Sequence, residues 1–467
     1  MIGSQSLGRD VKFEKRDEGD IVLSATIAIG GTSREARGCT IVLLALGLFV
    51  LSGLGGAGFG RAAAQSTAWI QFGPTGEGPG NASTYDQDFV REWEANPPKG
   101  FATLAKANIE ATKMAVRQYT MIVANGGWPV LPEPPNKTPR ENLLQFGITD
   151  PTVSLLRARL AASSDLLDAN TSSNYFDASV EKALQRFQAA NGLSPTGIAD
   201  KRTIAALNVP ADVRLKQLKV NLQRLQEAVP TVSKKYVLVN IPAAQVEAVE
   251  NGQIVARYAA VVGKPDRPTP LLKTPITDLN FNPVWRLPPT VISEDLIPRG
   301  REMQKKGQNV LVKFGIDAYD GSGRKVDPHK IDWDKVSPGT YTYSQQPGKE
   351  NPLGFLKINF DSAHSVYMHD TPSDRIFGRN FRSASSGCIR VHNIENLAAW
   401  LLADQKGWDA DRIAEMKESG QRLDVRLKKP VQLLFVYISA WATPDGVVQF
   451  RRDIYQKDGL GEVASNY

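Results

Sequence analysis

The hydrophobic repeat of this 467-residue chain changes period near residue 235, and that switch limits what the chain can fold into. Before it, Leu215, Leu218, Leu222 and Leu225 recur at helical spacing over residues 213–228, a stripe that makes a packing face. After it the period is two. Residues 236–241 and 245–249 lead to Asn251-Gly252, a hairpin signal, and residues 254–262 return. Residues 431–441 and 447–455 flank Pro444-Asp445-Gly446, a second hairpin. The alternation breaks from 293 to about 336, where Ser293 through Lys306 reads as polar helix and Asp320-Gly321-Ser322-Gly323 as a turn. A long interruption inside a compact domain predicts a lid or binding loop. The fold class expected is therefore multidomain, with a helical front and a β-rich back carrying a helical lid insertion.

Length and composition agree. A chain this long exceeds one ordinary core, and 42% hydrophobic with 22% charged residues is globular composition. Residues 1–64 read as an export signal or membrane anchor: Arg34 and Arg37 precede an apolar run at 40–51, and Arg61-Ala62-Ala63-Ala64-Gln65 supplies an Ala-x-Ala site. The polar leader of about 35 residues is long for a signal, so either the true start lies downstream or the segment stays as an inner-membrane anchor. Residues 65–145 hold a helix over about 102–123, stopped by Gly126-Gly127-Trp128-Pro129. Residues 150–210 form a three-helix module. There Asp177 caps a helix whose face is Val180, Ala183, Leu184 and Phe187, and Gly192 closes it. Residues 211–235 link this module to the domain at 236–460. The formal net charge of +7 suits anionic polymers, but no basic stripe or aromatic platform points to nucleic acid.

The chemistry sits in two short runs. His369-Asp370-Thr371-Pro372 is followed by Ser385-Ser386-Gly387-Cys388-Ile389-Arg390-Val391. Cys39 and Cys388 are the two cysteines, and a chain cleaved after Ala64 keeps Cys388 alone. A free thiol has a pKa of roughly 8.5, so a nearby imidazole is needed to take its proton and later return it to a leaving amine. Alternation over 365–369 puts Tyr367 and His369 on one strand face and His364 on the other. Gly387 lets the backbone approach a substrate, with neighbouring N–H groups to hold an oxyanion. His329 lies in the insertion, and His392 is expected to pack or hydrogen-bond. The histidine and cysteine spacings match no zinc module, so neither a metal nor a cofactor is expected. Asn393 is expected to cap a helix over 394–403.

These runs resemble the active-site signature of the L,D-transpeptidases with a YkuD-type catalytic domain. Ser386 replaces a usual second histidine and His-Asp-Thr-Pro-Ser follows the YcbB-like subgroup, as do Asn282-Pro283-Val284-Trp285, Gln346-Pro347-Gly348 and Asn351-Pro352-Leu353-Gly354. Ala183 to Gln188, Gly192-Leu193, Thr196-Gly197 and Thr203 to Asn208 resemble a peptidoglycan-binding domain, and the helix ending in Gly-Gly-Trp-Pro resembles this family's scaffold. The resemblance implies Cys388 as nucleophile, His369 as proton donor and acceptor, Gly387 in the oxyanion region and Asp370 or its backbone orienting His369. It implies Tyr367, Ser386 and Arg390 at the substrate, and a capping subdomain over the site. The implied partners are peptidoglycan stem peptides, the implied place the periplasm, and the implied product a 3→3 crosslink. An L,D-carboxypeptidase, a D-amino acid exchange enzyme and a wall-binding scaffold are the alternatives.

Overall fold

A computed structural model describes residues 101–167 and 170–461. The export segment with Cys39, and residues 65–100 of the scaffold region, lie outside the described residues. The first helix, α1 (Lys106–Ala124), starts later than its apolar pattern because residues 102–105 form a turn, closed by Ala105 N donating to the Ala102 carbonyl at 2.8 Å. There the Thr103 N–H and hydroxyl donate to the buried Glu247 carboxylate at 2.9 and 2.8 Å.

Three helices follow: α2 (Pro151–Ala162), α3 (Ala178–Ala190) and α4 (Lys201–Leu207). Each has an aspartate at its N-cap. Asp150 accepts from Thr152 N, Asp177 from Ser179 N and Val180 N, and Asp200 from Thr203 N, satisfying N–H groups that the first helical turn leaves free. Their apolar faces meet in one core containing Leu156, Phe176, Val180, Leu184, Phe187 and Leu207. Helix α5 (Ala211–Ala228) buries Leu215, Leu218 and Leu225 of its stripe and leaves Leu222 half-buried. Its polar residues are also committed: Asn221 Nδ2 donates to Ser439 Oγ at 2.8 Å and Gln217 Nε2 to the Arg451 carbonyl at 2.9 Å. The linking helix is thereby fastened to the C-terminal segment.

The strands run β1 (Lys235–Asn240), β2 (Gln245–Glu250), β3 (Gln253–Gly263), β4 (Leu272–Phe281), β5 (Trp285–Arg286), β6 (Ile316–Tyr319), β7 (Lys325–Val326) and β8 (Thr342–Gln345). They continue with β9 (Leu356–Phe360), β10 (Met368–His369), β11 (Ser383–Ser385), β12 (Ile389–Val391), β13 (Leu423–Val436), β14 (Ala440–Ala442) and β15 (Val448–Phe450). The main sheet is ordered β11-β3-β12-β10-β9-β4-β13-β1-β2, and β3 also pairs with β2, so the ladder closes on itself. The β2–β3 turn places Asn251 and Gly252 at φ 52° and 79°, the two positive values of the tight hairpin turn its sequence predicts. Strand β1 is buried on both faces: Val237 and Val239 enter the main core, and Tyr236 and Leu238 enter a second one with Leu104 and Leu225. Helices α8 (Ile394–Leu402) and α9 (Ala410–Ser419) cover the main core with Ile394, Leu397, Leu401, Ile413 and Met416. Asn393 precedes α8 in the left-handed region (φ 48°) and makes no side-chain cap, contrary to expectation. In that conformation it turns the chain into the helix instead of capping it.

The insertion has a core of its own. Residues 289–296 wind through a short α-helical turn and a π turn into α6 (Ile297–Lys305), and α7 (Val310–Phe314) follows. A four-stranded sheet, β5-β8-β6-β7, backs them. The core contains Trp285, Leu296, Val310, Phe314, Trp333, Tyr343 and Leu353, so it draws on chain well to either side of 293–336. The 320–323 turn joins β6 to β7. Two- to four-residue strands carry too few alternations for a period of two to show in sequence.

Candidate active site

Strand β10 is two residues long and lies between β9 and β12. Met368 pairs with Ile358 on one side and Ile389 on the other, and all three are fully buried in the main core. His369 pairs with Lys357 and Arg390. Side chains alternate along strands, so Lys357, His369 and Arg390 form one row on the opposite face from Met368. The ladder continues backward through Ile389 N donating to the Tyr367 carbonyl at 3.0 Å. Two residues before His369 and Arg390 stand Tyr367 and Cys388, on the same face. Tyr367 and His369 meet edge to face, with ring centroids 5.7 Å apart.

His369 is buried, at 5% exposure. Its Nδ1 lies 2.5 Å from the Asp370 carbonyl oxygen. A carbonyl only accepts, so Nδ1 carries the proton, and a backbone contact with Pro352 also holds the ring. Burial, then the charges of Arg390 and Lys357, lower its pKa to about 3, leaving a neutral imidazole at physiological pH. The Asp370 carboxyl points elsewhere. It accepts from Phe355 N at 3.0 Å, and a Cβ on Gly354 would sit 2.1 Å from its Oδ2. Burial raises this carboxyl to about 6. Its side chain holds the 351–355 turn, and its backbone faces the histidine.

Cys388 is half-buried on a loop built by hydrogen bonds. Ser385 Oγ donates to the Cys388 carbonyl at 2.6 Å and accepts from Gly387 N at 3.1 Å; Thr269 Oγ1 donates to the Gly387 carbonyl at 2.9 Å. Gly387 has φ 111°, a conformation that side-chain-bearing residues rarely adopt. Burial pushes the Cys388 thiol up; hydrogen bonds from Tyr367 and the charges of Arg390 and Lys357 oppose the rise. The Tyr367 hydroxyl also accepts from Trp285 Nε1 at 3.1 Å, so the insertion touches the site directly. Burial raises Tyr367 well above its usual value. Ser386 Oγ accepts from Arg267 Nη1 at 3.0 Å, and the same guanidinium pairs with Asp295 at 2.8 Å and with Glu294. Arg390 is lowered by burial, and its Nε has no hydrogen-bond partner among the described residues.

The structure brings together Tyr367, His369, Cys388 and Arg390 in this way, with Gly387 and Ser386 on the adjoining loop. His364 and His329 are exposed, and His392 packs against Phe377 with the rings tilted and their centroids 4.8 Å apart. Lys357, Trp285, Arg267 and Thr269 were not singled out from sequence. Leu356-Lys357-Ile358-Asn359-Phe360 does alternate, and that pattern carries the signal for Lys357; Trp285 stood in a quoted motif without a role. Arg267 and Thr269 lie on an irregular loop with no periodic signal.

Residues 234–427 match the L,D-transpeptidase catalytic domain family (YkuD), and residues 149–207 match a peptidoglycan-binding domain family. A Haemophilus influenzae protein assigned as an L,D-transpeptidase is 29% identical over 242 residues, 52% of this chain and 48% of that protein. The chain thus spans about half the length of that relative. Among solved structures, an L,D-transpeptidase from Xylanimonas cellulosilytica is 17% identical, covering 65% of this chain and 100% of its own, at a TM-score of 0.22. One from Mycobacterium smegmatis is 15% identical, covering 44% and 58%, at 0.21.

Proposed function

We propose that this protein, whose residues 234–427 match the YkuD family of L,D-transpeptidase catalytic domains, joins peptidoglycan stem peptides through a thioester on Cys388. The observation that carries this reading is the shared strand face of Cys388 and His369, with Tyr367 bridging Trp285 and the thiol. Neutral His369 takes the Cys388 proton as sulfur attacks the carbonyl on the L-centre of the third stem residue. Its other nitrogen stays bonded to the Asp370 carbonyl, which fixes ring and tautomer. Gly387 N is engaged by Ser385, so the Cys388 N–H is the backbone donor we assign to the developing oxyanion. The imidazolium then returns its proton to the departing D-alanine amine, leaving a thioester. A side-chain amine of a second stem attacks the thioester, loses a proton to His369 and restores the thiol. The product is a 3→3 crosslink.

Arg390, half-buried beside Cys388, receives a stem carboxylate in this scheme. Ser386, held by Arg267, lines the approach. The insertion acts as a lid, since Trp285 and the Arg267–Asp295 pair join it to both halves of the site. Such a substrate places the protein in the periplasm, and the module at 149–207 would hold it on the wall. Water or a free D-amino acid in place of the second amine gives a carboxypeptidase or an exchange enzyme with the same residues. Product analysis with a tetrapeptide muropeptide decides. Dimers with the 3→3 linkage support the reading, tripeptide monomers alone favour hydrolysis, and unchanged muropeptide contradicts both.

A further inference from the structure

Lys357 occupies the site without a partner that explains it. It stands in the row with His369 and Arg390, on the side of His369 away from Arg390. Its Nζ lies 4.4 Å from the Tyr367 ring centroid. Among the described residues it makes no hydrogen bond and no ion pair within 4 Å, and it is half-buried. The acids across the sheet are committed elsewhere: Asp278 Oδ1 accepts from Asn359 at 2.8 Å, and Asp424 Oδ1 from Asn280 at 2.7 Å. Withdrawing part of an ammonium from water without acceptors is unfavourable, and a ring face offsets only part of that loss. Three N–H donors are thus left for an anion that the protein does not supply.

Position says which anion. Strands lie about 4.8 Å apart, so Lys357 and Arg390 are separated by about 10 Å with His369 midway. The group that His369 protonates must lie over the imidazole, and the rest of the departing residue extends one strand to either side. Arg390 follows Cys388 by two residues on β12 and lies on the acyl side. Lys357 lies on the other.

We infer that Lys357 binds the free α-carboxylate of the departing residue, so that the enzyme selects donors ending one residue beyond the cleaved bond. This rests on the acyl-transfer reading above. A donor with one more residue, or with an amidated end, presents no carboxylate at that distance. The ammonium also favours the Cys388 thiolate, an effect independent of the donor's end and therefore separable from recognition.

The test compares a tetrapeptide donor with its C-terminal amide on wild type, Lys357→Met and Lys357→Arg, reading thioester formation by intact mass and rate. Wild type should prefer the acid roughly ten- to hundredfold, the scale of a hydrogen bond between charged groups. Lys357→Met should lose that preference, Lys357→Arg should keep most of it, and the amide should react at similar relative rates after correction for iodoacetamide labelling of Cys388. A wild type indifferent to the amide, or a Lys357→Met variant that keeps the preference, overturns the assignment while leaving acyl transfer intact. A wild type that forms no thioester with either donor overturns both readings.

Discussion

His369 and Arg390 face each other as direct register partners across β10 and β12, one strand apart. With Lys357 on the other side, the imidazole is buried between two cations. Such a setting disfavours imidazolium, so the resting pair is a neutral thiol and a neutral imidazole rather than a preformed thiolate–imidazolium pair.

That resting state predicts a pH profile. Cys388 labelling by iodoacetamide should climb about tenfold per pH unit from pH 6 to 9, because burial holds the thiol above its ordinary value. A plateau extending down to pH 5 or 6 contradicts it.

Replacing His369 with Ala should lower acyl transfer by roughly two to four orders of magnitude, the usual scale for general acid–base catalysis. His364→Ala should change little, since that residue is exposed. If His392→Ala proves more damaging than His369→Ala, the proton carrier is misassigned.

Asp370→Asn should leave transfer within a few fold, because the backbone carbonyl holds His369. It should also alter stability with pH in a defined direction. The folded protein keeps the Asp370 proton up to about pH 6, whereas an unfolded carboxyl releases it near 3.8. This group therefore favours folding at low pH, and its contribution is lost as pH rises through about 6. His369 acts oppositely: an unfolded imidazole gains its proton near 6.5 and the folded one only near 3, so its contribution is present above 6.5 and lost as pH falls. Relative to wild type, Asp370→Asn should gain on the order of 2 kcal/mol between pH 4 and 7 in denaturant titrations. A parallel offset at both pH values contradicts the assignment.

Arg267→Met cuts the tie between the Cys388 loop and the insertion by removing its bonds to Ser386, Glu294 and Asp295. Crosslinking of large muropeptides should fall more than labelling of Cys388 by a small electrophile, because positioning a large donor needs the lid. Equal losses would make the tie merely structural. Deleting 293–336 is a poorer test than the sequence suggests, since it removes Leu296, Phe314 and Trp333 from a core shared with Trp285 and Leu353.

Much of this was legible before any coordinates. The Leu215–Leu218–Leu225 stripe, the Asn251-Gly252 hairpin and the Asp177 cap are local signals, and local physics settled them. The pairing of Tyr367 with His369 followed from alternation. What stayed hidden depends on chain brought from afar. The buried Glu247 accepts from Thr103, 144 residues away, and Arg267 finds Ser386 from 119 away. The placing of Lys357 beside His369 needed the β9–β10 register, which no single strand contains. Asn393 misled because its side chain is a good cap, while its backbone was used for a left-handed turn.

The central claim is a covalent intermediate on one sulfur. Intact-mass measurement of the wild type mixed with a tetrapeptide-containing muropeptide, without an amine acceptor, tests it most directly. The account predicts a protein heavier by the donor less one D-alanine, released D-alanine in equal amount, and neither for Cys388→Ala with an unchanged circular dichroism spectrum. Turnover by folded Cys388→Ala, or D-alanine release without an adduct on the wild type under rapid quenching, would contradict it.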